Sequence, residues 1–218
     1  MLILALDTAT EAVAAAVLDT ATDAVVGRAA HVGPMAHGEQ LAPVVAAALA
    51  EAGAEPRALG AIGVGRGPGP YTGLRVGLAY AEVLGWALRL PVHGVCTLDV
   101  LAAEAAHAIR GPFLVATDAR RREVYWARYD PGGVRADGPH VGPPADVPDR
   151  SLPTVGAGAV RYPEAFPDPR GPQRPDPGEL ARIVASMISA GQPADVAPMY
   201  LRRPDAVAPA GRKRVTPG

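Results

Sequence analysis

The sequence predicts an α/β protein of two lobes, with helices packed on mixed sheets and a second lobe that is reduced and loop-rich. Three observations carry this. The first hundred residues pass from three short apolar runs to alternating extended and helical patterns. A strand–Asp–turn–strand pattern recurs after 111 residues. Proline is unevenly spread, with 6 in residues 1–109 and 18 in residues 110–218.

Composition narrows the class. The chain has 218 residues, of which 49% are hydrophobic and 20% charged. That is ample apolar surface for a core, so general disorder is excluded. Lys plus Arg is 21 and Asp plus Glu is 22, a net charge of -1, so no overall electrostatic footprint for nucleic acid exists. The single cysteine, Cys96, forms no internal disulfide and no cysteine-built metal site. The run Met1–Leu6 meets Asp7 too soon for a signal peptide, and no 18-residue apolar stretch exists. A soluble, cytoplasmic protein is expected.

The elements follow in order. Leu2–Leu6 is an apolar strand ending at Asp7, Val13–Leu18 a second, and Val25-Val26 marks a third; tight turns between them predict an antiparallel meander. Leu41, Val44, Val45, Ala48, Leu49 and Ala52 have helical spacing, with Gly53 as the stop. Ile62 and Val64 form a strand before a glycine-rich loop. A second helix runs from about Thr72 to Arg89, ended by Pro91. Val92–Val95 is extended, and Thr97 is read as the cap of a third helix through Ile109.

The second half echoes the first. Phe113–Asp118 parallels Leu2–Asp7, and Asp118 lies 12 residues before Asp130, as Asp7 does before Asp19. This suggests an internal duplication, with lobes at 1–109 and 110–218. The segment 131–177, with 12 prolines, is expected to be mostly loop with short extended pieces. Asp176, Pro177 and Glu179 then open a late helix as N-cap, first residue and capping-box partner.

Some of these residues are candidates for chemistry. Gly63–Arg75 is a glycine-rich helix entry, but it lacks Gly-Lys-Ser/Thr and fails G-x-G-x-x-G in every register. Pro68 and Pro70 remove two phosphate donors, so a rigid loop presented to a partner competes with nucleotide binding. Gly73, Gly77, Ala81 and Gly85 recur at four-residue spacing, which calls for close approach of another backbone, from this lobe or another subunit. Asp7 and Asp118, if the lobes face each other, share a cleft suited to Mg²⁺ and a nucleotide. Four residues after His37 stands Leu41, so no His-x-x-x-His pair exists there. Arg120–Arg122 and Arg212–Arg214 are short basic clusters, read by default as a solvated turn and tail that add at most a weak RNA contact.

Five segments together resemble the TsaB (YeaZ) family of bacterial proteins: Ile3–Glu11, His37–Pro43, Gly67–Gly77, Asp118–Tyr125 and Pro198–Arg202. The resemblance implies two ribonuclease-H-like lobes of the actin/Hsp70/sugar-kinase superfamily. It implies a required, non-catalytic role in making threonylcarbamoyladenosine on tRNAs that read codons starting with A. The transfer belongs to the paralogue TsaD, which carries the His pair that this sequence lacks; the small ATPase TsaE is a further partner. The implied partner interface lies on the first two helices, about Glu39–Ala52 and Thr72–Arg89. On this sequence it comprises Glu39, Leu41, Val44, Val45, Ala48, Thr72, Gly73, Arg75, Gly77 and Ala81. A homodimer of the free chain is expected on the same helices. A degenerate nucleotide site would comprise Asp7, Thr8, Gly67, Gly69 and Asp118. No metal and no cofactor of its own are expected, with room for ATP or ADP at the complex interface. The rival readings are an autonomous ATPase or small kinase built on Asp7, Asp118 and the glycine-rich loop, and a peptidase, for which no nucleophilic or paired-metal constellation exists.

Overall fold

The computed structural model describes residues 1–33 and 37–202. The Arg212–Arg214 cluster lies outside the described residues. The elements run β1 (Leu2–Asp7), β2 (Ala12–Asp19), β3 (Ala24–Val32), α1 (His37–Glu51), β4 (Leu59–Gly65), α2 (Tyr71–Leu88), β5 (Val92–Val95) and α3 (Thr97–Ala106). There follow β6 (Phe113–Asp118), β7 (Val124–Tyr129), β8 (Arg135–Gly142), β9 (Thr154–Val155), α4 (Ala157–Arg161), β10 (Pro169–Arg170) and α5 (Pro177–Ser189).

Two five-stranded mixed sheets result. The first has the order β3-β2-β1-β4-β5 and the second β10-β9-β6-β7-β8. In each, a three-stranded antiparallel meander is extended on its first strand by two parallel strands. Read from the meander edge, the two orders are the same, so the duplication seen in residues 1–19 and 113–130 extends to the whole topology. The second copy is reduced, with β9 and β10 only two residues each.

The apolar runs of β1 and β4 are continuous because both faces of the first sheet are covered. Leu4, Leu6, Ile62 and Val64 pack under α1 and α2. Ile3, Ala5, Ala61 and Val95 face α5, through Leu180, Ala181 and Val184, with Val100 of α3. The sequence division at 109/110 placed α5 in the second half of the chain; its packing is on the first sheet. Helix α3 lies between the sheets, for Leu98, Leu101 and Ala105 pack on Phe113, Val115 and Tyr129 of the second.

Three local expectations change. Thr97 does not cap α3: it is the first helical residue, and its hydroxyl donates to Asp7 at 2.8 Å. The proline-rich segment 131–177 contains more regular structure than its composition suggested, including the eight-residue edge strand β8, where Pro139 is tolerated. The glycine-rich loop is not presented outward, for Gly67, Pro68 and Gly69 are buried. The Asp176 cap is as expected, its Oδ1 accepting from the amides of Gly178 (2.6 Å) and Glu179 (3.1 Å).

Candidate functional site

Asp7 ends β1, and strand direction carries its carboxylate inward. One oxygen accepts from the Ala9 amide at 2.7 Å and the other from Thr97 Oγ1 at 2.8 Å. Gly65 lies so close that an added Cβ would overlap the carboxylate. Burial raises the Asp7 pKa from 3.8 to about 6, against the opposing pull of the Ala9 amide, the Thr97 hydroxyl and the His37 charge. Both oxygens are thus spent on the fold.

Thr8 is equally committed. Its buried hydroxyl donates to Gly73 O at 2.8 Å and accepts from Gly77 N at 3.1 Å. Those are the two groups that a regular helix would join to each other. One side chain of the β1–β2 turn therefore docks into the ladder of α2, and this explains the small residues. A Cβ on Gly73 would stand 2.7 Å from Thr8 O, and one on Gly77 would strike Thr8 Oγ1. Gly67 has φ +91°, with its carbonyl accepting from Thr97 N at 2.8 Å. Gly69 is pressed against Ala9 O.

Asp118 occupies the equivalent place in the second lobe but faces arginines. Arg120 Nη1 stands 3.7 Å and Arg161 Nε 3.6 Å from its carboxylate. The gap between the lobes beside it is about 20 Å³, room for one water. Its walls are Ala9–Glu11 and Pro70 on one side, and Thr117, Asp118, Arg120 and Ala157 on the other; Asp7 is not among them. The structure therefore does not bring Asp7 and Asp118 together, and Thr8, Gly67 and Gly69 are consumed by packing. Cys96 is no nucleophile either: burial, then the Asp99 carboxylate, push its thiol up to about 12.

The helices divide the expected interface residues. Leu41, Val44, Val45 and Ala48 face the core of their own lobe, as do Gly73, Gly77 and Ala81. Their placement at a partner interface is thus corrected, because the apolar spacing that marks them is the one that buries them. Glu39, Thr72 and Arg75 are exposed. The outward surface has residues that the spacing did not single out. On α1 they are Ala42, Pro43, Ala46, Ala47 and Ala50, a flat face of small side chains. On α2 they include Ala79, Val83 and Trp86, with Val83 66% and Trp86 84% exposed. These recur at i, i+4 and i+7, a second apolar face that the sequence pattern contains. A hollow of about 540 Å³ beside Trp86 is lined by Gly85, Ala87, Arg89 and Leu90. At the other end of α2, Arg75 donates to Tyr200 OH at 2.9 Å and lies 4.4 Å from the Tyr71 ring centre. Tyr200 arrives on a strap, residues 193–202, held by Gly94 N to Asp195 O (3.0 Å) and Met199 N to Arg66 O (2.8 Å).

Known proteins resolve what this arrangement belongs to. The family model described as TsaD, tRNA N6-adenosine threonylcarbamoyltransferase, matches residues 31–162. The solved structure of YeaZ from Pseudomonas aeruginosa superposes with a TM-score of 0.75 at 31% identity, over 92% of this chain and 99% of that one. The chain belongs to the TsaB (YeaZ) family. It falls thereby within the wider TsaD family whose model covers most of it. An uncharacterized protein of Mycobacterium tuberculosis is 47% identical over 94% of this chain and 93% of its own length. TsaB of Escherichia coli, named a tRNA threonylcarbamoyladenosine biosynthesis protein, is 38% identical over 62% of this chain and 58% of its own. The TsaB fold of two mixed sheets is the one described above. No helix among the described residues is long and apolar enough to cross a membrane.

Proposed function

We propose that this chain is a non-catalytic subunit required for threonylcarbamoyladenosine modification of tRNAs that read codons starting with A, and that it scaffolds and activates a TsaD-like transferase. One observation carries the reading: α1 exposes a row of small side chains around Ala46, and α2 exposes Val83 and Trp86, without burial against the described residues. An exposed tryptophan beside a shallow hollow is the kind of anchor that concentrates binding energy. The identity of the partner rests on the relatives, several of which are named for threonylcarbamoyladenosine biosynthesis.

The closed cleft supports a partner role over the ATPase or kinase reading, since the carboxylate and the glycine loop that would serve a nucleotide are hydrogen-bonded and packed internally. In the proposed assembly TsaE is a further partner, the chain alone forms a homodimer through the same face, and tRNA is reached through the complex in the cytoplasm. The chain contributes no cofactor of its own, and ATP or ADP, where used, sits at the interface.

The test is reconstitution. The cognate transferase paralogue, the ATPase, threonylcarbamoyl-adenylate and unmodified tRNA are combined with or without this chain, and modified adenosine is quantified by mass spectrometry. Modification should require the chain and fall at least tenfold with Trp86→Glu, which leaves the core untouched. Equal modification without the chain would overturn the reading.

A further inference from the structure

We infer that the mouth of the cleft between the lobes, formed by Arg120 and Arg161 and flanked by Arg122 and Arg174, binds phosphates of an RNA backbone. The arginines come from three separate segments: the β6–β7 turn, α4 and the loop before α5. Arg120 and Arg161 are 63% and 58% exposed at their side chains. They line an open cavity of about 410 Å³ with Glu11, Val32, Gly33, Asp118 and Ala157.

Asp118 gathers Arg120 and Arg161 without saturating them. Its distances of 3.7 and 3.6 Å to Arg120 and Arg161 exceed a hydrogen bond. Each arginine carries five N–H donors, a fork suited to phosphate. Glu11 is matched by Arg174 Nε at 3.0 Å. Arg120, Arg161 and Arg174 thus face two carboxylates, Asp118 and Glu11, with Arg122 on the same turn as Arg120, in a chain whose net charge is -1. Such a local excess is what a polyanion senses.

The turn that carries the cluster is held in an unusual backbone. Arg120, Arg121 and Arg122 have φ of 62°, 55° and 61°, three left-handed residues in succession with no glycine among them. The Arg120 amide donates to Asp118 at 3.2 Å, Glu123 N to Arg120 O at 3.0 Å and Ala119 N to Glu123 O at 3.0 Å. Arg202, from the strap, pairs with the Glu123 carboxylate and donates to Ala119 O at 3.2 Å. A turn that served connection alone would use Gly or Asn here; this one holds three arginines in a strained backbone. No aromatic residue among the described residues lines the cavity, so it offers charged partners to phosphates and no aromatic face to a base. That favours a backbone over a mononucleotide. The choice of tRNA as the RNA rests on the proposed function.

The experiment is fluorescence anisotropy of a labelled, unmodified tRNA transcript titrated with the full chain at 50, 100 and 200 mM salt. The triple variant Arg120→Ala, Arg122→Ala, Arg161→Ala should bind about tenfold or more weakly at the lowest salt, with the slope of log K on log salt smaller by about 2. The triple Lys variant at the same positions should keep the slope, and thermal melts of all three proteins should coincide. Equal binding by the Ala variant overturns the inference, as does complete competition by ATP or inorganic phosphate at concentrations equal to the RNA phosphate. In the reconstituted assay, normal modification with the triple variant would remove this inference alone. Modification independent of the chain would remove the proposed function, while the titration would still report on the cleft.

Discussion

Asp7 shows how one residue type serves opposite ends in the two lobes. At the end of β1 it is sealed under Gly65 and Thr97; at the end of β6 its counterpart Asp118 opens to two arginines. The raised pKa of Asp7 has a consequence for stability. A folded-state value of about 6 against 3.8 means that the native state binds the proton more tightly. Its contribution is fully present below pH 3.8 and is lost as pH rises through about 6. Asp7→Asn should abolish this part of the pH dependence and raise stability at pH 7 by up to about 3 kcal/mol, at 1.36 kcal/mol per pKa unit. Urea midpoints of both proteins between pH 4 and 7 check this: parallel curves would mean that Asp7 is not the titrating group. The sequence showed that Asp7 and Asp118 are equivalent. It did not show which of them faces a cleft, because that depends on Gly65 and Thr97, far away along the chain.

At the scale of elements, α2 is apolar on two sides for two reasons. Gly73 and Gly77 admit the β1–β2 turn and Ala81 packs in the core, while Ala79, Val83 and Trp86 face outward. The four-residue spacing correctly signalled a close approach. Its partner was not legible, since the same stripe suits a neighbouring chain or the lobe's own turn. Gly77→Leu should therefore destabilise the monomer by more than about 2 kcal/mol, because the new side chain would displace the Thr8 hydroxyl from two buried backbone groups. Trp86→Glu should leave the melting temperature within about 2 °C, since surface changes of this kind stay within roughly 0.5 kcal/mol. A Gly77→Leu protein as stable as wild type, by thermal denaturation, would contradict this account of the stripe. The outward apolar face of α2 escapes notice in the sequence pattern for a related reason: helical periodicity finds the face that the core buries, and a second face stands out only after the first is assigned.

For the whole molecule, the lobes are two copies of one topology tied by elements that cross between them. Helix α5 follows the second sheet in sequence yet covers Ile3, Ala5 and Ala61 of the first. Helix α3 belongs to the first half and packs on both sheets. The strap then joins Gly94 and Arg66 of one lobe to Ala119 and Glu123 of the other. A fragment of residues 1–109 should accordingly fail to fold, since one face of its sheet would be left bare. Co-expression with residues 110–218 should restore a soluble complex. A cooperative thermal transition in the isolated fragment would show that α5 is dispensable.

The order of the first eight elements and the duplication were determined by the sequence itself, through hydrophobic period, turn residues and a recurring pattern, while the family entered through the resemblance of five segments. These are short-range properties, readable wherever the chain alternates or repeats. Only the tertiary structure decided that the glycine loop is packed shut, that the stripe on α2 receives Thr8, and that Arg120, Arg161 and Arg174 converge at the cleft. Each of these depends on residues brought together across long stretches of chain, 69 positions for Thr8 and Gly77, where burial and charge are set by neighbours that no local pattern names.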